Sequence, residues 1–284
     1  MSFVEQYDLT ITGKMPWQLS LFIFSLFVFK TQVKEKMVIL FVCCLFFFTN
    51  TQYNAFTRVV FIDVGQGDAT LLIAPFNKEV LLIDTGRKRN YYQLNRTLHQ
   101  YAISQIDTLI ITHDDLDHNE NIESLQNDFK IKNLITQKGS DFTLDYFVIT
   151  EFLSEKSYNN DNDNSLVFKI EFNHESFLFL GDISKYVERE LILENPHLST
   201  KVLKLAHHGS KTSSDDYFIS SVNPQYAIIS SDPAVYNHPS LEVLETLMKT
   251  NIINFKTYSD STITFNYSRW LNWISTSKRF LLIK

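Results

Sequence analysis

Five titratable side chains stand within six residues at one point of the chain, the segment HDDLDH at positions 113–118. The apolar run Leu109-Ile110-Ile111 comes directly before it and predicts a buried strand that ends there. Carboxylates this close together repel one another unless a cation compensates their charge. One or two divalent ions would do so, and imidazole with carboxylate suits Zn, Mn or Fe. Acids at a helix N-terminus would explain the aspartates but not the two histidines.

Three further segments offer ligands of the same kinds. Asp182 ends the run Phe179-Leu180-Gly181, where a carboxylate would be able to bridge two ions. His207 and His208 also follow an apolar run and precede a glycine, which allows a ligand to approach the backbone closely. His238 lies in a loop before a helix and on its own fits an ordinary surface residue equally well.

Composition limits both the metal ligands and the partners. The only cysteines, Cys43 and Cys44, lie in an apolar N-terminal run, so a metal site in the rest of the chain must use histidine and carboxylate. Residues 1–50 hold four lysines and three acids, which leaves 22 basic and 29 acidic residues of the total 26 and 32. Nucleic-acid binders usually carry a basic footprint, so this balance argues against an extended DNA-binding face. It leaves room for a local one whose positive charge comes from metal ions.

The elements that must position these residues are short apolar runs, broken by turns and helical stretches, from residue 58 onward. Strands that cluster first and then alternate with helices predict an α/β domain in layers, with helices covering the sheets. The runs predict strands at Val59–Asp63, Thr70–Ile73, Val80–Asp84, Thr108–Thr112, Leu166–Phe172, Ser176–Leu180, Val202–Leu205 and Ala227–Ser230, and helices at Tyr91–Tyr101, Asn121–Phe129, Lys185–Glu194 and Leu241–Thr250.

Residues 1–50 are predicted to form a membrane-associated segment, separate from a domain over 51–284. Two almost purely apolar runs, 15–29 and 37–48, are joined by the polar linker KTQVKEK. Each run is short, because a span needs about 20 residues. They therefore predict two short or tilted helices, or one span and a re-entrant piece. The lysines of the linker place it in the cytoplasm and the domain on the other side of the membrane.

Taken in order, the motifs resemble a known family. The series is FIDVGQGDA at 61–69, LIDTG at 82–86, HDDLDH, NDNSLVF at 162–168, LGDI at 180–183, LAHHGSKTSS at 205–214 and NHPS at 237–240. It is similar to the metallo-β-lactamase domain at the C-terminal end of ComEC, the DNA-uptake channel protein of competent bacteria. The likeness covers roughly 58–264, and the ordered series is more specific than any single motif. It implies an αβ/βα sandwich with the site at one edge, here preceded by a short helical membrane segment.

The resemblance also implies how two divalent ions, Zn or Mn, would be held, with Asp182 as the bridge. A further histidine of the superfamily falls near Asn162 and Asn164 here, which weakens the ligand set of one ion. The pair of glycines that usually follows the metal motif is replaced by Asn-Glu-Asn at 119–121, which alters the backbone at that turn. The other implied ligands are His113 and Asp115 for one ion, Asp117 and His118 for the second, and His207 to complete the shell.

The implied function is a nuclease in which metal-activated hydroxide attacks a DNA phosphodiester, with a DNA-translocating channel as a further partner. Asp117 or Asp182 would accept the proton, and His208 or His238 would protonate the leaving oxygen. Two alternatives are a hydrolase of another ester, such as a surface phosphodiester or a lactone, and a degenerate module that binds DNA or a membrane partner. Asp63, Asp68 and Asp84 are expected as turn residues or partners of the ligands, with Asp84 bonded to one ligand histidine, and Ser210 and Thr212 on the phosphate side. Lys204 and Lys211 fit neighbours of a phosphate and solvated surface residues equally well. The tail 270–284 stays unassigned, as a final strand and helix or a membrane-surface contact.

Overall fold

The computed structural model describes residues 55–140 and 143–283. The apolar runs at 15–29 and 37–48 lie outside the described residues, and so does the whole of the predicted membrane segment. Within the residues that are described, no helix is both long enough and apolar enough to cross a membrane.

The strands of the described residues form two mixed sheets. Their bounds are β1 Thr57–Phe61, β2 Thr70–Ile73, β3 Val80–Ile83, β4 Gln105–Ile110, β5 Lys130–Ile135, β6 Val148–Phe152, β7 Val167–Phe172, β8 Glu175–Phe179, β9 Val202–Lys204, β10 Tyr226–Ile229, β11 Ile253–Lys256, β12 Ile263–Tyr267, β13 Asn272–Ser275 and β14 Phe280–Ile283. The first sheet has the order β14-β13-β12-β1-β2-β3-β4-β5 and the second the order β11-β10-β9-β8-β7-β6.

Parallel pairing brings the functional loops to one edge of the sandwich. In the first sheet β3 pairs parallel with β4 and β4 with β5, and in the second sheet β8 to β11 pair parallel in sequence. The remaining pairs are antiparallel. Because the carboxyl ends of parallel strands share an edge, the loops after β3, β4, β8 and β9 lie at the position where open α/β sheets bind ligands.

Helices cover the outer face of each sheet. In α1, Leu94 and Leu98 are four residues apart, so they lie on one face of the helix and pack on the first sheet. In α4, Val187 and Leu191 have the same spacing and pack on the second sheet. The helices are α1 Tyr91–Gln100, α2 Leu116–Asn119, α3 Ile122–Asp128, α4 Lys185–Glu194, α5 Asp216–Val222, α6 Pro233–Tyr236, α7 Leu241–Lys249 and α8 Thr257–Asp260.

Aromatic side chains fill the space between the two sheets. Phe61 of β1 and Phe265 of β12 face Phe177 of β8, with ring centroids 5.6–6.4 Å apart. All three are buried completely or nearly so. Each such burial stabilises the fold by on the order of 2 kcal/mol. The layers are therefore helix, sheet, sheet, helix, which is the predicted α/β sandwich.

The eight predicted strands are all present, with ends within three residues of those predicted, and the four predicted helices agree to within one residue. The sequence patterns missed six strands, β5, β6 and β11 to β14. Four of these, β5, β6, β11 and β14, are edge strands or carry several exposed side chains, so their residues do not form apolar runs. The sequence left residues 270–284 open between a final strand with a helix and a membrane-surface contact; the described part, 270–283, contains the antiparallel hairpin of β13 and β14 and no helix.

Candidate metal centre

Five loops at one edge of the sandwich carry the site. They follow β1, β3, β4, β8 and β9, and they hold Asp68, Asp84, the HDDLDH segment, Asp182 and the histidine pair 207–208 respectively. Residues distant in sequence meet here, since Asp182 lies beside both His118 and His113. The predicted ligand segments therefore converge on one place.

Asp84 orients the first of the buried histidines. Its carboxylate accepts hydrogen bonds from the amide and hydroxyl of Thr112, at 2.8 and 2.9 Å, and from Nδ1 of His118 at 2.8 Å. Because Nδ1 is used in this way, Nε2 of His118 is left to face Asp182, 3.5 Å from its Oδ1. The sequence predicted this partnership of Asp84 with a ligand histidine.

One group of possible ligands consists of His113, Asp115 and Asp182. Nε2 of His113 lies 3.6 Å from Asp115 Oδ2 and 3.9 Å from Asp182 Oδ2. Burial, followed by the neighbouring His118, lowers the pKa of His113, which favours the neutral form that binds metal. One ligand atom from each of the three residues lies within 4.8 Å of the others.

A second group consists of Asp68, His118, Asp182 and His208, whose ligand atoms also lie within 4.8 Å of one another. Nε2 of His208 is 3.5 Å from Asp182 Oδ2 and 3.4 Å from Asp117 Oδ2. Asp182 thus belongs to both groups, as a bridging carboxylate would.

The unsatisfied polar atoms of this cluster fit metal ions. Nε2 of His113, His118 and His208 and Oδ1 of Asp182 are all buried and have no hydrogen-bond partner among the residues that the structure describes. Leaving a buried polar group unpaired costs about 1–3 kcal/mol, and more when it is charged. Four such atoms converging from both sheets are expected where a ligand binds them. The donor set of imidazole and carboxylate without thiolate is that of hydrolytic metal sites.

Electrostatics reinforce this fit. Burial alone would raise the pKa of Asp182, but His208 and His118 outweigh it and hold that pKa well below its usual range. Burial on its own would lower the pKa of His208. The carboxylates of Asp182 and Asp68 outweigh that effect and raise this pKa to about 9. The cluster therefore attracts positive charge, and a divalent ion would displace the imidazole protons.

The two adjacent histidines sit on a strained turn and face different ways. Both have left-handed backbone, with φ of 49° at His207 and 55° at His208, which costs on the order of 1–3 kcal/mol each and is typical of functional sites. Nδ1 of His208 donates to the carbonyl of Ser230 at 2.9 Å, which aims its Nε2 at the cluster. His207 is partly exposed, and its Nε2 lies 4.0 Å from Asp182 Oδ2. The buried His208, expected on the phosphate side, thus lies nearer the ligands than His207, the expected ligand.

A cleft of about 410 Å³ opens onto the cluster. His238 lies in its wall beside His207, with ring centroids 5.8 Å apart. Ser210 bonds Thr212, whose hydroxyl lies 3.5 Å from Nδ1 of His207, so these two residues support His207. The residues lining the cleft are Gln66, Arg87, Asp115, Leu116, Asp117, Asp182, His207, His208, Tyr236 and His238.

Arg87 and Tyr236 were not singled out from the sequence. Arg87 donates to the hydroxyl of Tyr236 at 3.2 Å on the rim of the cleft. A usable signal was the position of Arg87 directly after LIDTG, at the end of a buried strand. The sequence left Lys204 open between a neighbour of phosphate and a solvated surface residue; its ammonium is instead buried and bonded to Asp68 at 2.7 Å.

The departures from the family pattern have structural partners. Asn164 bonds the backbone of Tyr158, on both its amide and its carbonyl, rather than facing the cluster. Asn121 is buried and donates to the carbonyls of Thr85 and Gly86. Asn164 and Asn121, which stand where the family has a histidine and part of a glycine pair, therefore connect neighbouring loops through hydrogen bonds.

Glu188 anchors the loop that follows the histidine pair. Both oxygens of this buried carboxyl accept from the amide of Ser214 at 2.8 Å. Burial raises its pKa to about 8 against the ordinary 4.5; the amides of Ser214 and Asp215 and the charge of Lys185 act in the opposite direction. Between pH 4.5 and about 8 the Glu188 carboxyl is protonated in the folded state but ionised in the unfolded chain. Stability is thus greatest below pH 4.5 and falls as the pH rises through 8.

We expect Glu188→Gln to flatten this pH dependence. Between pH 4.5 and 8, ionisation of the Glu188 carboxyl lowers the unfolding free energy of the wild type by up to about 1.4 kcal/mol per pH unit. The variant has no such group, so this loss is absent from it. Urea unfolding between pH 5 and 8 measures the difference between the two proteins, with the exposed Glu123→Gln as the matched control. Parallel profiles for wild type and Glu188→Gln would show that the carboxyl is ionised in the folded state.

The comparisons with known proteins agree with this geometry. Residues 62–164 match the family model of the metallo-β-lactamase superfamily. The chain is therefore similar to the metallo-β-lactamase superfamily over these residues, and it has two mixed sheets and a buried cluster that can hold metal ions. Its resemblance to the ComEC-type domain is also confirmed by the curated relatives that it matches.

Two of these relatives extend the similarity along most of the chain. ComE operon protein 3 of Bacillus subtilis is 28% identical over an alignment of 319 positions, gaps included, that covers 93% of this chain and 41% of that protein. Competence protein ComA of Neisseria gonorrhoeae is 28% identical over 225 residues, which cover 73% and 32%. The chain thus spans less than half the length of each. A mutant of the CmlA β-hydroxylase has a TM-score of 0.51 and 10% identity over 74% of this chain and 54% of its own, which shows a shared fold.

Proposed function

We propose that this protein is a metal-dependent phosphodiesterase that cleaves DNA in the context of competence. The observation that carries the proposal is the pair of ligand groups that share Asp182 and open onto a cleft. The groups comprise His113, Asp115 and Asp182 on one side and His118, Asp182 and His208 on the other, with Asp117 beside His208.

Bound divalent ions, Zn or Mn, supply Lewis acidity that lowers the pKa of water and stabilises negative charge on a phosphate. The residues of the chain hold and move protons around them. Burial, then His207 and His208, lowers the pKa of His238, so its imidazole is neutral near pH 7 and accepts a proton. His207 lies between His238 and Asp182, where it protonates the leaving oxygen. The resemblance implied His207 as a metal ligand and His208 as a proton donor to the leaving oxygen, and this proposal exchanges the two roles.

DNA is the proposed substrate because one relative is named a competence protein and the ComEC resemblance implies DNA uptake. A DNA-translocating channel is the proposed partner, since the relatives are more than twice as long as this chain.

The membrane is the second proposed partner, with the catalytic domain on its non-cytoplasmic side. Residues 1–54 join the sandwich at the start of β1, while the loop that carries Asp68 leaves the other end of that strand. Thr57 pairs with Tyr267, so the turn carrying the exposed Trp270 and Leu271 lies near the point where the N-terminal chain joins. Tryptophan is typical of membrane interfaces. The turn that carries Trp270 and Leu271 and the metal cluster therefore lie at opposite ends of β1.

The test is hydrolysis of single- and double-stranded DNA by the 284-residue chain in detergent, with Mn²⁺ or Zn²⁺ added and then removed by chelation. Metal-dependent cleavage supports the proposal. Binding of about two ions without DNA cleavage would contradict it and favour another ester, which small phosphodiesters and lactones would then identify. Absence of ion binding would favour a DNA- or partner-binding module.

Arg87 is expected to contribute to substrate affinity. Among the described residues that line the cleft it carries the one permanent positive charge, and its Nε is buried without a partner. Charge-assisted hydrogen bonds to phosphate contribute about 1.5–3 kcal/mol. We expect Arg87→Gln to raise the KM for DNA about tenfold, with a smaller change in kcat. The exposed Arg89→Gln is the matched control, and equal KM values for both variants would exclude a phosphate contact at Arg87.

A further inference from the structure

Asp68 is a buried carboxylate that is only half satisfied. It lies in the loop between β1 and β2 and is 5% exposed. Its Oδ2 accepts from the ammonium of Lys204 at 2.7 Å, while its Oδ1 is buried and has no hydrogen-bond partner within 55–140 and 143–283. A buried carboxylate oxygen without a donor is costly, so its retention beside a metal cluster calls for a ligand.

The free oxygen faces the second ligand group. It lies 3.5 Å from Nδ1 of His208, whose proton is already donated to Ser230. Asp68 contributes a ligand atom within 4.8 Å of those of His118, Asp182 and His208. Each of these three side chains also has a buried polar atom without a hydrogen-bond partner among the described residues, so four incompletely satisfied side chains lie close together.

Charge balance explains why a lysine is buried here. Lys204 is 4% exposed, and besides Asp68 it donates to the carbonyl of Leu205 at 3.1 Å. With Asp68 as a ligand, the carboxylates Asp68, Asp115, Asp117 and Asp182 would surround two divalent ions and neutralise them. The positive charge of Lys204 then offsets the remaining carboxylate, Asp84, which is hydrogen-bonded to His118.

We propose that Asp68 is an additional ligand of the ion held by His118, Asp182 and His208, with Lys204 as the counter-ion that positions it. The inference rests on the metal-binding part of the proposed function and is independent of the substrate.

Titration with Mn²⁺, with free ion measured by electron paramagnetic resonance, tests the role of each residue. The 284-residue chain in detergent is compared with Asp68→Asn, Lys204→Met and the double variant, and thermal unfolding with chelator present reports their stability. We expect Asp68→Asn to weaken the binding of one of two ions about tenfold to a hundredfold. Lys204→Met keeps the carboxylate and is expected to keep both ions, although the unpaired charge lowers the stability of the metal-free protein.

The double variant separates a ligand from a structural partner. It removes both buried charges, so its metal-free stability is expected to recover, while binding of the second ion stays as weak as in Asp68→Asn. Recovery of both stability and ion binding in the double variant would overturn the proposal, as would two tight ions in Asp68→Asn. If the wild type binds two ions but does not cleave DNA, the substrate assignment fails and the titration still decides the role of Asp68.

Discussion

Replacement of Asp182 by Asn is expected to reduce metal-dependent hydrolysis by at least about a thousandfold, since about 4 kcal/mol of transition-state stabilisation would be lost. Asp182 belongs to both ligand groups, and its carboxylate lies within 4.0 Å of His113, His118, His207 and His208. An amide has one acceptor oxygen and no charge, so it cannot serve as a bridging ligand. Both ions should therefore bind more weakly, and activity should fall with them.

Asp114→Asn is the matched control for this variant. Asp114 lies in the same HDDLDH segment but is exposed and absent from both ligand groups. We expect it to retain ion binding and activity. Initial rates at saturating Mn²⁺, with bound metal counted by elemental analysis, make the comparison. Full activity in Asp182→Asn would place the reaction elsewhere than in this cluster.

Replacement of Gly67 by Ala is expected to damage the metal loop without touching a ligand. Gly67 has φ of +129°, and an added Cβ would lie 2.4 Å from the carbonyl oxygen of Asp117. The neighbouring amide of Asp68 donates to that same carbonyl at 3.1 Å. The HDDLDH segment must therefore move, at a cost of about 2–4 kcal/mol in unfolding free energy. Ion affinity should fall with it, because the ligands leave their places.

Gly139→Ala tests whether the effect comes from this contact. Gly139 also has positive φ, at +67°, but an added Cβ would meet no atom within 4 Å. Only the backbone strain of about 1–2 kcal/mol then remains, and ion affinity should not change. Urea unfolding and Mn²⁺ titration of both variants give the comparison. Equal losses of ion affinity would contradict the role assigned to the Gly67 contact.

Local patterns in the sequence predicted the interior of the fold but not its edges. Strands such as Val80–Ile83 and Val202–Lys204 are buried along their whole length, so they show as apolar runs between turns. The strand Lys130–Ile135 has a mostly exposed face and carries lysines and asparagine. This strand forms because it pairs with the neighbouring strand β4, so no local pattern in its own residues predicts a strand there.

The ligand segments were predictable for a similar reason, because several titratable residues directly after an apolar run repel one another unless a cation binds them. The positions of Asp68, Lys204 and Arg87 within the folded site were not predictable from local sequence patterns. Asp68 and Lys204 are 136 residues apart and form a buried ion pair only once the two sheets pack together. The choice between His207 and His208 depends on which imidazole the carbonyl of Ser230 holds, and that carbonyl belongs to a strand end elsewhere in the chain.

The cluster joins the two sheets. His113 and His118 follow a strand of the first sheet, whereas Asp182 and His208 follow strands of the second. Ions bound between these residues would act as a removable cross-link between the sheets at one edge of the sandwich. The aromatic side chains of the interior hold the two sheets together whether or not ions are bound. If ion binding tightens the packing of Phe61 against Phe177, thermodynamic reciprocity requires that tighter packing of these rings strengthens ion binding by the same factor. The metal affinity of this protein is then partly a property of its hydrophobic core.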